Sequence, residues 1–181
     1  MAGKILVATD GSDTGNLAVD AATELSAKLG HDLCIVHVLM HGRATEEWMR
    51  MAEAEHLVKH VAQQTGHAAG GDLSSLGDYF NRIEDDAKAA LVVRIIGDEI
   101  LARAKTRAIE RGARNVSTRS CIGDYADQIL DVAEAEKPAM IVLGNRGLGR
   151  MRGTLLGSVS QKVLHHAKCT VVVVRQAMAA L

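Results

Sequence analysis

Aromatic side chains are scarce, at 2% of 181 residues, so the hydrophobic core must be built from Val, Ile, Leu, Ala and Met. Hydrophobic residues still reach 48%, which supports a globular chain, most simply one domain over residues 1–181. A surplus of charge is missing too. The formal net charge of −1 argues against general nucleic-acid binding, whose affinity rests on excess base. No apolar run approaches the roughly 20 residues that span a bilayer. The start, Met1-Ala2-Gly3-Lys4, enters a strand directly and lacks signal-peptide architecture, so the expected location is cytoplasmic. Cys34, Cys121 and Cys169 are odd in number, and each lies in or beside a strand-like run. Reduced, buried thiols are the expectation.

The pattern along the chain is regular at both ends and irregular between. Residues 4–9 (KILVAT) are a short apolar run ending at Asp10-Gly11-Ser12, as a strand buried on both faces does. Ser12 or Asp13 can cap the helix that follows, and Gly30 stops it. A second buried strand covers 32–40, where His37 fits a core or strand-end histidine better than a ligand. A strand, a helix and a strand make a βαβ unit, which requires parallel strands and a right-handed crossover.

Residues 42–97 are expected to be a helical insertion: one helix over 45–64, a Gly/Ser/Ala-rich loop over 66–77, and another helix over 78–93. Glu53, His56 and His60 share a helical face there at i, i+3 and i+7, a spacing that metals accept. The order lacks H-E-x-x-H and such mixtures are common on exposed helices, so no metal site is assigned.

A clearer helix over 98–111 places Ile100, Leu101, Ala104, Ala108 and Ile109 on its apolar side, with Gly112 as its stop. A third strand over 115–121, a helix over 126–136, and strands at 140–143 and 170–174 follow. Pro138, the one proline, separates the helix from the strand after it. Five short strands alternating with helices imply an α/β fold, a doubly wound, five-stranded parallel sheet. Its ligand crevice belongs at the carboxyl ends of the strands, where the strand order switches. Asp10, the end of the second strand near Val38, and the loop after Gly144 are all carboxyl-end positions.

That last loop carries the strongest functional signal. The strand 140–143 stops at Gly144, a loop with Gly147, Gly149 and Gly153 follows, and Gly157-Ser158 open a helix. Glycines let a backbone approach phosphate, and a helix N-terminus offers unpaired N–H groups with a positive dipole end. Arg146, Arg150 and Arg152 lie in the loop with no acid among them. The G-x-x-x-x-G-K-[ST] pattern fails because no Lys separates Gly157 from Ser158, and G-x-G-x-x-G fails at Arg152. On residue chemistry, Gly144 and Gly147 would admit phosphate oxygens to backbone N–H groups, and Ser158 and Ser160 would donate hydroxyls.

The remaining spacing, Gly144-x2-Gly147-x9-Gly157-Ser158, resembles the nucleotide-binding motif of the ATP-binding universal stress proteins. Residues 7–12 (VATDGS), Gly123-Asp124 and residues 141–147 (IVLGNRG) add to the resemblance, which covers the frame outside 42–97. It implies a Rossmann-like, adenine-nucleotide alpha-hydrolase-like sandwich that binds ATP, AMP or ADP, with Mg2+ held mainly by phosphates and waters. The implied nucleotide-binding residues are Thr9, Asp10 and Val38 around adenine and ribose. Gly144, Asn145, Arg146, Gly147, Gly157, Ser158, Val159 and Ser160 would surround the phosphates. A homodimer through the edge strand 170–174 is also implied.

Three functions fit: a dimeric regulatory or stress-response protein, a slow ATPase or phosphotransferase, and an interaction module working through 42–97. The first is expected, with at most weak hydrolysis, because no residue pair declares itself for positioning water. No catalytic residue is assigned.

Overall fold

The computed structural model describes residues 3–39, 86–147 and 156–175. Among them, five strands and four helices alternate: β1 (Lys4–Ala8), α1 (Asp13–Leu29), β2 (Asp32–Leu39), α2 (Asp86–Glu110), β3 (Arg114–Ile122), α3 (Tyr125–Glu136), β4 (Met140–Gly144), α4 (Ser158–His166) and β5 (Thr170–Val174). All pairings are parallel, in the order β3-β2-β1-β4-β5. The expected doubly wound five-stranded sheet is therefore present.

Alternation along each strand sends side chains to two separate cores. Ile5, Val7, Leu33, Ile35 and Val142 pack under α1 and α2, against Ala18, Ala22, Leu101 and Ala104. Leu6, Cys34, Val36, Ile141 and Leu143 face α3 and α4, against Ala126, Ile129 and Val163. Two helices on each face follow from right-handed crossovers. The chain steps from β1 through β2 to β3 on one side, then returns past β1 to β4 and β5. The strand order thus switches between β1 and β4, and their carboxyl ends flank the crevice.

Local signals explain most boundaries. Ser12 accepts from the Gly15 N–H at 3.1 Å as the N-cap of α1, and Gly30 closes that helix in the left-handed region at φ 66°. Asp124 caps α3 through the N–H groups of Ala126 and Asp127, at 3.1 Å each. Asn115, at φ 46°, absorbs a register shift between Asp32 and Leu33 and donates to the Asp32 carboxylate at 2.8 Å.

Three expectations are corrected. The helix expected over 98–111 begins twelve residues earlier, at Asp86, and passes through Gly97 without a break. Gly97 is tolerated mid-helix because packing overrides its propensity: a Cβ there would sit 2.7 Å from Leu39 Cδ2. Ile109, assigned to the apolar side of that helix, is 53% exposed. The third strand, expected over 115–121, is present as Arg114–Ile122 at a sheet edge, with Arg114, Ser117, Arg119 and Ser120 facing solvent. Of the thiols, Cys34 is buried, whereas Cys121 and Cys169 are half-buried, and all three are free. Of the insertion expected over 42–97, residues 42–85, with Glu53, His56 and His60, lie outside the described residues, and the described part of the helix expected over 78–93 belongs to α2. No described helix is long and apolar enough to cross a membrane.

Candidate nucleotide site

The crevice is built on the turn that leaves β1. Ladder pairing ends at Ala8–Val36, and the Thr9 N–H still reaches the Val36 carbonyl at 3.0 Å. From there the chain bonds to itself. The Gly11 N–H donates to Thr9 Oγ1 at 3.1 Å, with Gly11 at φ 80° where a side chain would be strained. Asp10 Oδ1 accepts from the Ser12 N–H at 3.0 Å and the Ser12 hydroxyl at 2.6 Å. Asn16 closes the turn by donating to the Gly11 carbonyl at 3.1 Å. The Asp10 carboxylate is thus aimed by its own neighbours, not left to a free rotamer.

Glycines wall the slot that Asp10 occupies. A Cβ on Gly15 would lie 2.6 Å from Asp10 Oδ1, and one on Gly147 would overlap Asp10 Oδ2. Real Cβ atoms do not approach so closely, so a side chain at either position would displace the Asp10 carboxylate. Gly147 therefore brings the loop after β4 against the turn after β1. Thr14 ties them a second time, donating its hydroxyl to the Arg146 carbonyl at 2.6 Å.

The loop spends part of its backbone on holding itself. The Asn145 N–H donates to the Val174 carbonyl, and the Gly157 N–H to the Asn145 carbonyl, both at 2.7 Å. Asn145 is 9% exposed and anchors both ends of the loop. Helix α4 then starts without a side-chain cap or a first-turn acid. Its first helical bond runs from the Gln161 N–H to the Gly157 carbonyl at 2.9 Å, so the N–H groups of Ser158, Val159 and Ser160 precede the ladder. Those are the donors that a helix start leaves for a capping group, water or anion.

The expected site residues thus divide by role. Thr9, Asp10, Gly147 and the Arg146 backbone meet at the crevice. Gly157, Ser158 and Val159 form the adjoining helix start, with the Ser158 side chain exposed. Val38 is at the carboxyl end of β2, but its side chain is 5% exposed and belongs to the core beneath α3.

Gly144 and Ser160 also hold the fold together. A Cβ on Gly144 would meet the Thr14 carbonyl oxygen at 2.9 Å, so close packing against α1 favours a glycine here. Ser160 is 4% exposed and donates to the Gly144 carbonyl at 2.8 Å, which locks the first turn of α4 onto β4. Thr14, Gly15 and Asn16 were missed. A glycine in the first helical turn, directly after Asp10-Gly11-Ser12, was the available signal.

Beneath the turn lies His37, 1% exposed. Its Nδ1–H donates to the Thr9 carbonyl at 2.8 Å. Burial pushes the imidazole pKa down, opposed by the Thr9 carbonyl and by the charges of Asp10 and Asp98, so the ring is held neutral. Among the described residues, no group of three His, Cys, Asp or Glu side chains is placed to hold a metal ion.

The model of the universal stress protein family matches residues 1–175. Universal stress protein YxiE of Bacillus subtilis is 31% identical over 175 residues, covering 97% of this chain and all of that protein. A universal stress protein in complex with cAMP superposes with TM-score 0.59 at 23% identity, over 97% of this chain and 98% of the other. One from Archaeoglobus fulgidus in complex with dAMP gives TM-score 0.55 at 21% identity, over 94% and 96%. The chain belongs to the universal stress protein family.

Proposed function

We propose that this chain binds an adenine nucleotide, ATP or AMP, in the crevice between β1 and β4 and acts as a dimeric regulatory protein of the cytoplasm. The contact of Gly147 with Asp10 carries this reading. It joins a carboxylate at the tip of β1 to a glycine-rich loop and an uncapped helix start, at the switch in strand order. A carboxylate accepts hydrogen bonds from ribose hydroxyls or an exocyclic amine. Exposed N–H groups at a helix start take phosphate. The two are set side by side, as a nucleotide requires. Solved structures of the same fold carrying cAMP and dAMP support the choice of adenine.

Within that reading, Asp10 and the backbone at Val38 hold the nucleoside. Arg146, Gly147 and the N–H groups of Ser158 and Val159 hold the phosphates. Mg2+ bound with ATP would offset phosphate charge, through phosphates and waters instead of a protein cage. Regulation requires different contacts in the bound and free states. The loop leaving Gly147 and the helix start at Gly157 are where nucleotide contacts would change. Homodimerisation is assigned to β5, which occupies a sheet edge.

Mass spectrometry of the small molecules that co-purify with the protein tests the ligand class. An adenine nucleotide is expected. At a hundred times its dissociation constant, such a ligand stabilises the fold by about 2.7 kcal/mol and raises the melting temperature. No melting shift with millimolar ATP or AMP would overturn the reading.

A further inference from the structure

We propose that His37 is a positioning residue for the nucleotide site, coupling helix α2 to the turn that aims Asp10. The inference rests on the adenine-nucleotide reading above. The β1–β2 ladder stops just before the turn that carries Asp10. The last pair is Ala8–Val36, followed by the Thr9 N–H on the Val36 carbonyl. The next acceptor along β1 is the Thr9 carbonyl, where the chain bends away into the turn carrying Asp10. The His37 imidazole supplies its hydrogen bond, at 2.8 Å.

A carbonyl can only accept, so Nδ1 carries the proton. Burial disfavours the charged ring, which leaves the neutral Nδ1–H tautomer. That single proton fixes the peptide between Thr9 and Asp10. The direction of that peptide sets where the Asp10 side chain leaves the backbone.

The other edge of the ring lies against α2. A Cβ on Gly97 would stand 3.1 Å from His37 Cδ2 and 3.4 Å from Nε2. Gly97 therefore lets the helix backbone close directly onto the imidazole. The ring is a spacer between α2 and the Thr9 carbonyl. A shift of α2 along or away from the sheet is passed to Thr9 through one rigid aromatic ring. Helix α2 follows residues 40–85 in the chain, so whatever acts on its amino-terminal end has a mechanical path to Asp10.

The test compares two isosteres. Asn presents its amide nitrogen where Nδ1 stands, whereas Gln presents it where Nε2 stands. His37→Asn should retain ATP–Mg2+ affinity within about threefold, whereas His37→Gln and His37→Leu should lose tenfold or more. Gly97→Ala, which touches no proposed ligand contact, should also weaken ATP–Mg2+ binding severalfold by displacing the ring.

Nitrogen-15 spectra of the histidine side chains, recorded without nucleotide, should show His37 as the Nδ1–H tautomer. The Asp10, Gly11 and Ser12 amide resonances should move in His37→Leu and return in His37→Asn. A His37 in the Nε2–H form, or equal ATP affinity in all three His37 variants, overturns the proposal. Absence of ATP binding by the unmodified protein would instead sink the nucleotide reading, and the spectra would still decide whether His37 sets the turn.

Discussion

The Thr14 hydroxyl donates to the Arg146 carbonyl at 2.6 Å, joining segments 132 residues apart in the chain. This bond spans the crevice between β1 and β4 and holds the loop against the first turn of α1. It makes the two halves of the proposed site one unit, so disturbing α1 disturbs the loop.

Thr14→Val keeps the shape of the side chain and removes this donor. The expected loss of stability is about 1 kcal/mol, the net worth of one such bond, measured by urea denaturation. ATP affinity should fall severalfold in the same protein, measured by calorimetry. Unchanged affinity would mean that the loop is placed by other contacts.

Helix α4 begins at Gly157 with no side chain to cap it. Gly157→Asp supplies a cap and a negative charge at the positive end of the helix dipole. A Cβ there meets the Asn145 carbonyl oxygen at 3.5 Å, an ordinary contact, so the fold tolerates it. The variant should melt higher than the unmodified protein without nucleotide and lose its melting shift with ATP. Gain of one property without loss of the other would separate the cap from the phosphate site.

Asp20 and Glu136 are among the carboxylates held below their ordinary range. Asp20 is held low mainly by its hydrogen bonds from Arg107, with Arg111 adding charge. Glu136 is held low by Lys4 and then Arg119. A folded pKa below the unfolded value of about 4 contributes stability above that value, lost as pH falls through the folded one. Asp20→Asn should therefore lower the melting temperature at pH 7, by a difference that shrinks as pH falls below about 4. Arg107 is 44% exposed, so solvent screening keeps the effect at neutral pH to about 1 kcal/mol or less. A constant difference across that range would show that the ion pair is not its source.

The proposed dimer has a backbone test. The Val174 carbonyl accepts from Asn145, so it points toward the loop after β4. Alternation in a parallel ladder turns the N–H and carbonyl groups of Val171 and Val173 outward. Val173→Pro removes an outward donor on an edge strand, where proline is tolerated best. Light scattering should show a dimer for the unmodified protein and a monomer for the variant, with unchanged circular dichroism. A dimer in both would move the interface away from β5.

The sheet was legible in the sequence because its buried strands, such as 4–8 and 140–144, are short unbroken apolar runs closed by turn residues. α1 was legible because Ser12 and Gly30 mark its ends. β3 was legible as a strand over 115–121, but its place at a sheet edge shows only in its one-sided pairing and its exposed Arg114 and Arg119. The helices expected over 78–93 and 98–111 are one because Gly97, which looks like a breaker, packs closely on His37 and Leu39.

At the candidate site, strand ends and motif spacing pointed to Asp10, Gly147 and the start of α4, which lie on neighbouring segments of the structure. The packing roles of Gly144 and Ser160 lie in contacts with Thr14 and β4 that no local pattern displays. Motif spacing missed Thr14 for the same cause: its partner, the Arg146 carbonyl, is a backbone atom and leaves no mark on residue type.

The central claim is that Asp10 and the Gly147 loop form one adenine-nucleotide pocket. Isothermal titration of ATP–Mg2+ into the unmodified protein and into Gly147→Ala tests it most directly. One nucleotide per chain should bind the former, and binding should weaken by at least tenfold in the variant, whose added methyl group would overlap the Asp10 carboxylate. Equal affinity in a correctly folded Gly147→Ala, or no heat from the unmodified protein at millimolar ATP, would contradict it.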